Sequence, residues 1–272
     1  MTLVAMPEVV TTARPGGLGA FNVIQIEHAE AIAAGAEASG RPVVLQISEN
    51  TAAYHRSLAP LTIACLRIAA ESPADIVVHL DHATDVRLVE QAVGLGVGSV
   101  MYDASAMEYS ANVASTAEVT RWCHDRAVWV EAELGAVGGK DGVHAPGVRT
   151  DPSEAAEYVA ATDVDALAVA VGSSHAMLKR DATLDNDLIA AIANAVTVPL
   201  VLHGSSGVPD EGIAAAVAHG MVKINIATHL NKAMTAAVRT ALDADATLVD
   251  PREYLGPGRE AVAAEVARLL SL

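Results

Sequence analysis

Short runs of β-branched and other apolar residues recur along the whole chain, and each is followed by an Ala-rich stretch in which Leu, Ile and Val return at helical spacing. Apolar runs of strand length alternating with segments of 3.6-residue period are the pattern of βαβ units. Eight such runs stand out: AFNVI (20–24), VVLQI (43–47), IVVHL (76–80), VGSVM (97–101), VWVEAEL (128–134), DALAVAV (165–171), VPLVLH (198–203) and MVKINI (221–226). The segments between them predict helices near 26–39, 58–71, 84–95, 110–126, 153–161, 186–195, 210–219 and 229–243, with one more near 258–270. Asp151-Pro152-Ser153-Glu154 offers an N-cap with proline in the first turn, and Asp210-Glu211 places acidic residues at the positive end of the next helix.

Eight parallel strands predict a closed (β/α)8 barrel, formed as one α/β domain over residues 1–272 with an additional C-terminal helix. A doubly wound open sheet is the alternative, but it more often uses five or six strands with a glycine fingerprint after the first. Gly94, Gly96 and Gly98 are the nearest thing to that fingerprint, and they precede a strand instead of following one. The longest stretch without apolar periodicity is GAVGGKDGVHAPGVRT (135–150), directly after the fifth predicted strand. A long Gly-rich loop at that position reads as a lid or as a mobile surface loop.

Composition narrows the classes of function. With 52% hydrophobic and 18% charged residues the chain of 272 is that of a folded globular protein. Its net charge of −16 repels phosphate backbones and anionic lipid, which argues against nucleic-acid and membrane partners. An anionic substrate must therefore meet a local positive site. Cys65 and Cys123 form no CxxC pair, so a disulfide framework or thiolate zinc site is not expected, and a reducing, cytoplasmic setting fits. No apolar run approaches 18 residues and the start, MTLVAMPEVV, lacks a basic region before a long apolar stretch, so the chain reads as soluble and untargeted.

In a parallel barrel the working face lies at the C-terminal ends of the strands. There the sequence places Asp81-His82, Asp103 and Ser105, Glu131 and Glu133, Gly172-Ser173-Ser174-His175, His203-Gly204-Ser205-Ser206, and Asn225, on six consecutive strands. Three neutral imidazoles, from His82, His175 and His203, would make a divalent-metal site with an open position, the arrangement zinc uses in Lewis-acid catalysis. His79 falls inside its strand and reads as a core residue. Gly172 to Ser174, Gly204 to Gly207 and Asn225 to Thr228 follow the sixth, seventh and eighth strands, where exposed backbone N–H groups can ring a phosphate.

These residues and their neighbours resemble the class II, metal-dependent ketose-bisphosphate aldolases, the family of fructose- and tagatose-bisphosphate aldolases. The matching segments are GAFNV (19–23), HLDHATD (79–85), SVMYDAS (99–105), EAELGAVGG (131–139), DALAVAVGSSH (165–175), VPLVLHGSSGVPDE (198–211), KINIAT (223–228) and DPREYLGPGRE (250–260), which span nearly the whole chain in order. The resemblance implies reversible aldol cleavage of a ketose 1,6-bisphosphate to dihydroxyacetone phosphate and a phosphorylated aldehyde. It implies a catalytic Zn2+ on His82, His175 and His203, a second or transient metal position at Glu133, and Asp81 as the acid/base. Asn22, Ser48, Gly172, Gly204, Ser206, Asn225 and Thr228 are implied substrate contacts, with a monovalent cation (Na+ or K+) beside the phosphate. The family's loop glutamate has no counterpart in Gly138-Gly139-Lys140-Asp141-Gly142, so Asp141 is the nearest acid for the second proton transfer.

The family's members are commonly dimers or tetramers, and a homodimer or homotetramer is expected here. A second substrate phosphate needs a second cation, and Arg259, near the C-terminus, is the candidate, reaching a neighbouring chain's site or else pairing with Glu253 or Glu260 on the surface. Two other mechanisms stay open at this point. A class I aldolase would need a Schiff-base lysine, and Lys223 alone lies on a predicted strand; a non-catalytic sugar-phosphate-binding barrel would need no chemistry.

Overall fold

The computed structural model of the chain describes residues 4–13, 16–134, 148–173 and 179–272. Eight parallel strands close into a barrel in sequence order: β1 (Leu18–Asn22), β2 (Val43–Ser48), β3 (Ile76–Ala83), β4 (Ser99–Tyr102), β5 (Trp129–Leu134), β6 (Ala166–Val169), β7 (Leu200–Leu202) and β8 (Met221–Ile226), with β8 pairing back onto β1. The helices are α1 (Met6–Ala13), α2 (Ile26–Ser39), α3 (Glu49–His55), α4 (Ala59–Glu71), α5 (Val86–Gly94), α6 (Tyr109–His124), α7 (Pro152–Thr162), α8 (Asn186–Ala195), α9 (Asp210–Ala218), α10 (Thr228–Ala244) and α11 (Pro251–Leu270). The doubly wound alternative is thereby excluded.

Alternation along each strand sorts the side chains into two cores. Phe21, Leu45, Val78, Val100, Val130, Leu167, Leu202 and Ile224 point outward against the helices, meeting residues such as Ile32, Cys65, Val89, Cys123, Ile189 and Val262. Inside the barrel, Leu18, Ala20, Val44, Val77, Trp129, Ala166, Ala168, Val201 and Val222 form a separate apolar cluster. Met6, Val9, Val10 and Ala13 of α1 join that cluster, so α1 closes the N-terminal end of the barrel. Full burial of each larger side chain contributes about 1.5–3 kcal/mol.

Most predicted elements fall within a few residues of their observed bounds, and the differences have local causes. The first strand begins at Leu18 instead of Ala20, because Leu18 and Gly19 pair with Lys223 and Ile224 of β8. Helix α1 and helix α3 were not foreseen: each is under nine residues long and too short to display a helical period. A side-chain cap starts α3, where Ser48 Oγ accepts the Thr51 N–H at 3.2 Å. The last helix begins at Pro251, not near 258, with Asp250 capping it and Pro257 carried inside. Asp151 caps α7 as expected, accepting from the N–H groups of Ser153 and Glu154.

Helix α11 lies along α2 and α10. Gly35 permits the approach, since a Cβ there would stand 2.6 Å from Val266 Cγ1 and 2.8 Å from the Ala263 carbonyl oxygen. Of the Gly-rich stretch after β5, residues 135–147 lie outside the described residues. Where the chain resumes, buried Thr150 is tied to the residue after β6: its N–H donates to the Ala170 carbonyl at 3.0 Å and its Oγ1 accepts the Ala170 N–H at 2.9 Å. Among the described residues, no helix is long and apolar enough to cross a membrane.

Candidate active site

Above the apolar cluster the same inward-facing positions turn polar. Asn22 of β1, Gln46 of β2, His79 and Asp81 of β3, Ser99 of β4, Glu131 and Glu133 of β5, His203 after β7, and Lys223 and Asn225 of β8 occupy them, and all but Asn22 are buried. Strict alternation would send Asp81 and His82 to opposite faces. The β3–β4 register shifts between Leu80 and Ala83, and His82 takes φ 50° in the left-handed region, which turns both side chains into one cluster. Ligand atoms of Asp81, His82 and His203 lie within 4.8 Å of one another, as do those of His82, Asp103 and Glu133. The His82 and His203 ring centroids are 4.7 Å apart.

Each of these groups is oriented by a neighbour. Asp81 Oδ2 accepts from Asn22 Nδ2 at 3.0 Å, and Asn22 Oδ1 accepts from Gln46 Nε2 at 3.1 Å, a relay across three strands. Asp81 Oδ1 is buried and has no hydrogen-bond partner among the described residues. Burial opposes ionisation of Asp81, but the positive charge around it, from His82 first and then Lys223 and His203, outweighs burial and holds the carboxyl below its ordinary range. His82 Nδ1 meets Asp103 Oδ2 at 2.8 Å, and Asp103 Oδ1 accepts from the Ser105 N–H and hydroxyl.

His203 is clasped by two carboxylates. Its Nδ1 lies 3.1 Å from Glu133 Oε2 and its Nε2 3.0 Å from Glu131 Oε1. Burial lowers the affinity of this imidazole for a proton, yet the hydrogen bonds to Glu131 and Glu133 overcome burial and raise it to about 9. Burial likewise works against the charge on Glu131 and Glu133, while Lys223 for the first and His203 for the second keep both carboxyls below the usual range. His79 is a buried imidazole with Nδ1 2.7 Å from Ser99 Oγ and Nε2 3.9 Å from Glu131 Oε2.

The loops after β7 and β8, where the sequence places candidate phosphate contacts, come together beside this cluster. A 3-10 turn, Ser205–Gly207, follows β7, and Ser206 Oγ accepts from the N–H groups of Ala227 at 3.3 Å and His229 at 3.4 Å, joining the seventh and eighth loops. Ser205 donates its hydroxyl to the Asn225 carbonyl, and Ser173 donates to the His203 carbonyl at 2.5 Å. Thr228 opens α10, whose first turn has no side-chain cap. At Gly172 φ is 121° and a Cβ would sit 2.6 Å from the Thr183 carbonyl oxygen and 3.2 Å from Arg149 Nη2, so only glycine fits there.

Of the residues expected from the sequence, Asp81, His82, His203 and Glu133 converge, with Asn22 bound to Asp81; Gly172, Gly204, Ser206, Asn225 and Thr228 line the adjoining strand ends. Ser48 serves as the cap of α3. His175 and Asp141 lie outside the described residues. Arg259 is on α11 and pairs with Glu30 Oε2 at 2.7 Å, not with Glu253 or Glu260. The sequence reading gave no role to Gln46, to Asp103, to the Glu131–Lys223 pair or to Arg149. Two-residue spacing was the available signal for part of this, since Glu131 with Glu133 and Lys223 with Asn225 each share one face of a strand. Lys223 Nζ is taken up by Glu131 Oε2 at 2.8 Å and Asn225 Oδ1 at 2.9 Å, which argues against a Schiff-base role.

The donor set suits a divalent metal. The buried imidazoles of His82 and His203, with carboxylates close by, are ligand types that catalytic zinc takes. Asp103 on the far nitrogen of His82 is the kind of carboxylate that orients a metal-bound imidazole.

Comparison with known proteins gives a consistent result. The family profile described as "Fructose-bisphosphate aldolase class-II" matches residues 4–272. A fructose-bisphosphate aldolase of Geobacillus stearothermophilus is 39% identical over 272 residues, covering 98% of this chain and 95% of the relative. One from Staphylococcus aureus (strain Mu50 / ATCC 700699) is 37% identical over 268 residues, covering 96% of this chain and 94% of that protein. Among solved structures, the YdjI aldolase from Escherichia coli K12 superposes with a TM-score of 0.87 at 29% identity, covering 98% of this chain and 96% of that one.

Proposed function

The chain belongs to the class II fructose-bisphosphate aldolase family, so it is a lyase for aldol cleavage of a ketose bisphosphate, and we propose that the Asp81–His82–His203 cluster is where it works. The observation that carries this reading is the convergence of one ligand atom from each of those three residues within 4.8 Å, at the strand ends where such barrels act. Class II aldolases depend in general on zinc. Here His82, His203 and His175 would hold it, with Glu133 able to take a second or transient position. When bound, zinc supplies an electrophile for the oxygens that become negative as the carbon–carbon bond breaks.

The chain's own residues do the rest. Asp81, kept ionised by its cationic surroundings, takes the proton of the C4 hydroxyl, and the C3–C4 electron pair moves onto the dihydroxyacetone phosphate half as the aldehyde leaves. Asn22 and the Gln46 behind it aim the Asp81 carboxylate. Asn225 donates to the enediolate that forms. Gly172, Gly204, Ser206 and Thr228 bind the phosphate through backbone N–H and hydroxyl groups, beside a monovalent cation, and Ser48 contacts the other end of the sugar. Asp141 returns a proton to the enediolate carbon to complete dihydroxyacetone phosphate.

Residues 1–272 form one domain, two or four copies associate, and Arg259 of a neighbouring copy exchanges Glu30 for the second phosphate. The partners are small sugar phosphates, with neither nucleic acid nor membrane among them, in the cytoplasm.

A coupled assay for dihydroxyacetone phosphate release, run across ketose 1,6-bisphosphates of fructose and tagatose configuration, tests the reading. Release that a chelator abolishes and zinc restores is the expected result. Release unaffected by a chelator, with trapping of a lysine by borohydride, would replace it with the class I mechanism.

A further inference from the structure

Beneath the proposed metal cluster sits a cation that the reaction as described does not use. Lys223 is fully buried on β8, and its Nζ lies 2.8 Å from Glu131 Oε2 and 2.9 Å from Asn225 Oδ1. A lysine ammonium has donors only, so the atom it meets on Asn225 must be the carbonyl oxygen. That contact decides which way round the amide stands. Oδ1 faces the barrel interior, and Nδ2 with its two N–H donors is what Asn225 offers to anything else. The contact is local, because residues two apart on a strand share a face. Through its other carboxylate oxygen, Glu131 reaches His203 Nε2 at 3.0 Å, so one buried cation supports both Asn225 and His203.

Burying a lysine and a glutamate together costs several kcal/mol per ion unless every donor and acceptor is well placed, and two apolar side chains of similar volume would often serve stability as well. The pair is thus hard to explain by stability alone in a layer that supports Asn225 and His203 directly. We propose that Lys223 is a positioning residue for the aldol reaction: it locks the Asn225 amide with its N–H donors toward the enediolate oxygens and, through Glu131, fixes the ring of His203. This inference rests on the reading that Asn225 touches the dihydroxyacetone phosphate half of the substrate.

The test is calorimetric binding of dihydroxyacetone phosphate and, separately, of inorganic phosphate to the zinc-loaded protein, so that no turnover is needed. Lys223→Met should weaken dihydroxyacetone phosphate binding by roughly tenfold or more, the loss of an oriented hydrogen bond to a charged or strongly polar group. Inorganic phosphate, held by the loops after β6, β7 and β8, should bind within about twofold of wild type, the scatter expected for an uncoupled site. Because Lys223→Met alone strands the Glu131 carboxylate, the charge-neutral pair Lys223→Met with Glu131→Gln is measured beside it and should show the same selective loss. Adding Lys223→Met to Asn225→Ala should weaken dihydroxyacetone phosphate binding by no more than about twofold further, since the group being oriented is already gone.

Equal loss of both ligands, unchanged dihydroxyacetone phosphate binding, or effects of the two substitutions that simply multiply would overturn the proposal. Failure of the charge-neutral pair to fold would overturn it too, by showing Lys223 to be a stability residue. If wild-type protein binds phosphate but not dihydroxyacetone phosphate, the substrate reading itself falls and takes this proposal with it.

Discussion

The two ends of the barrel interior are made by the same strands and differ in almost every chemical respect. At the N-terminal end Val44, Val77, Trp129 and Val201 pack on Met6, Val9 and Val10, with α1 as a plug. At the other end, one or two inward positions further along, stand Gln46, Asp81, Glu131, Glu133, His203 and Lys223. Burial is nearly complete at both. What separates them is how burial is satisfied: by dispersion and dehydration below, by charge and hydrogen bonds above, where Glu133, His203, Glu131 and Lys223 form one chain of contacts and Asn22 holds Asp81. A buried apolar layer can vary side chain by side chain. A buried charge network cannot, because removing one member leaves its partners with uncompensated charge.

The widest separation between the ends should come from Asp81→Asn. Turnover should fall by roughly 10²- to 10⁴-fold, the usual cost of losing a general base, with zinc content by elemental analysis and melting temperature close to wild type. Near-normal turnover would remove Asp81 from the proton transfer, and loss of zinc instead would make it a ligand or a prop for one.

Met6→Ala probes the opposite end. The cavity it opens should cost about 2–3 kcal/mol in chemical denaturation, while kcat and KM stay unchanged. A drop in kcat would show that the plug and the catalytic layer are coupled, which the separate clusters argue against.

A smaller effect is expected from Asp103→Asn, which leaves His82 in place but weakens what orients its ring. Metal affinity, measured by competition with a chromophoric chelator, should fall about 10- to 100-fold, as for other outer partners of metal-bound histidines. No change would mean that Asp103 acts only on the loop carrying Ser105.

The effect confined to acid pH sits on the border between the two layers. Burial, and then the charge of Lys223, pushes the His79 imidazole down to about 3 from an ordinary 6.5. Between those pH values the unfolded chain binds a proton that the folded one refuses, so stability declines as the pH falls through that window. His79→Asn keeps a partner for Ser99 and removes this titration. Its melting temperature should therefore decline less steeply than that of wild type between about pH 6.5 and pH 4. Parallel curves would mean that His79 is not the group that senses acid there.

Much of this layering was legible in the sequence. Eight β-branched runs with helical segments between them specify the barrel, because the periods of strand and helix differ and leave their marks in the apolar pattern. His82, His203 and Asp81 could be placed at strand ends for the same reason. Helices α1 and α3 could not, since seven or eight residues do not display a period. The embrace of His203 by Glu131 and Glu133 was out of reach as well: the strands told that the two glutamates share a face, but not that a histidine some seventy positions later would stand between them. Arg149 was invisible because it lies in a loop, and only its closeness to the space beside Gly172 draws attention to it.

The left-handed backbone at His82 carries a lesson for anyone building such chemistry into an artificial barrel. Design methods begin from idealised strands and keep every residue other than glycine out of that conformation. On such a scaffold an aspartate and a histidine adjacent in sequence would face opposite ways, and no choice of rotamers would bring them to one point. The natural chain accepts a conformation that costs about 1–2 kcal/mol for a residue with a Cβ, and obtains two neighbouring functional groups from a single strand end. A graft of this site therefore has to copy a backbone irregularity together with the side chains, and a template search for similar sites would do better to look for the torsion angle than for the Asp-His dipeptide.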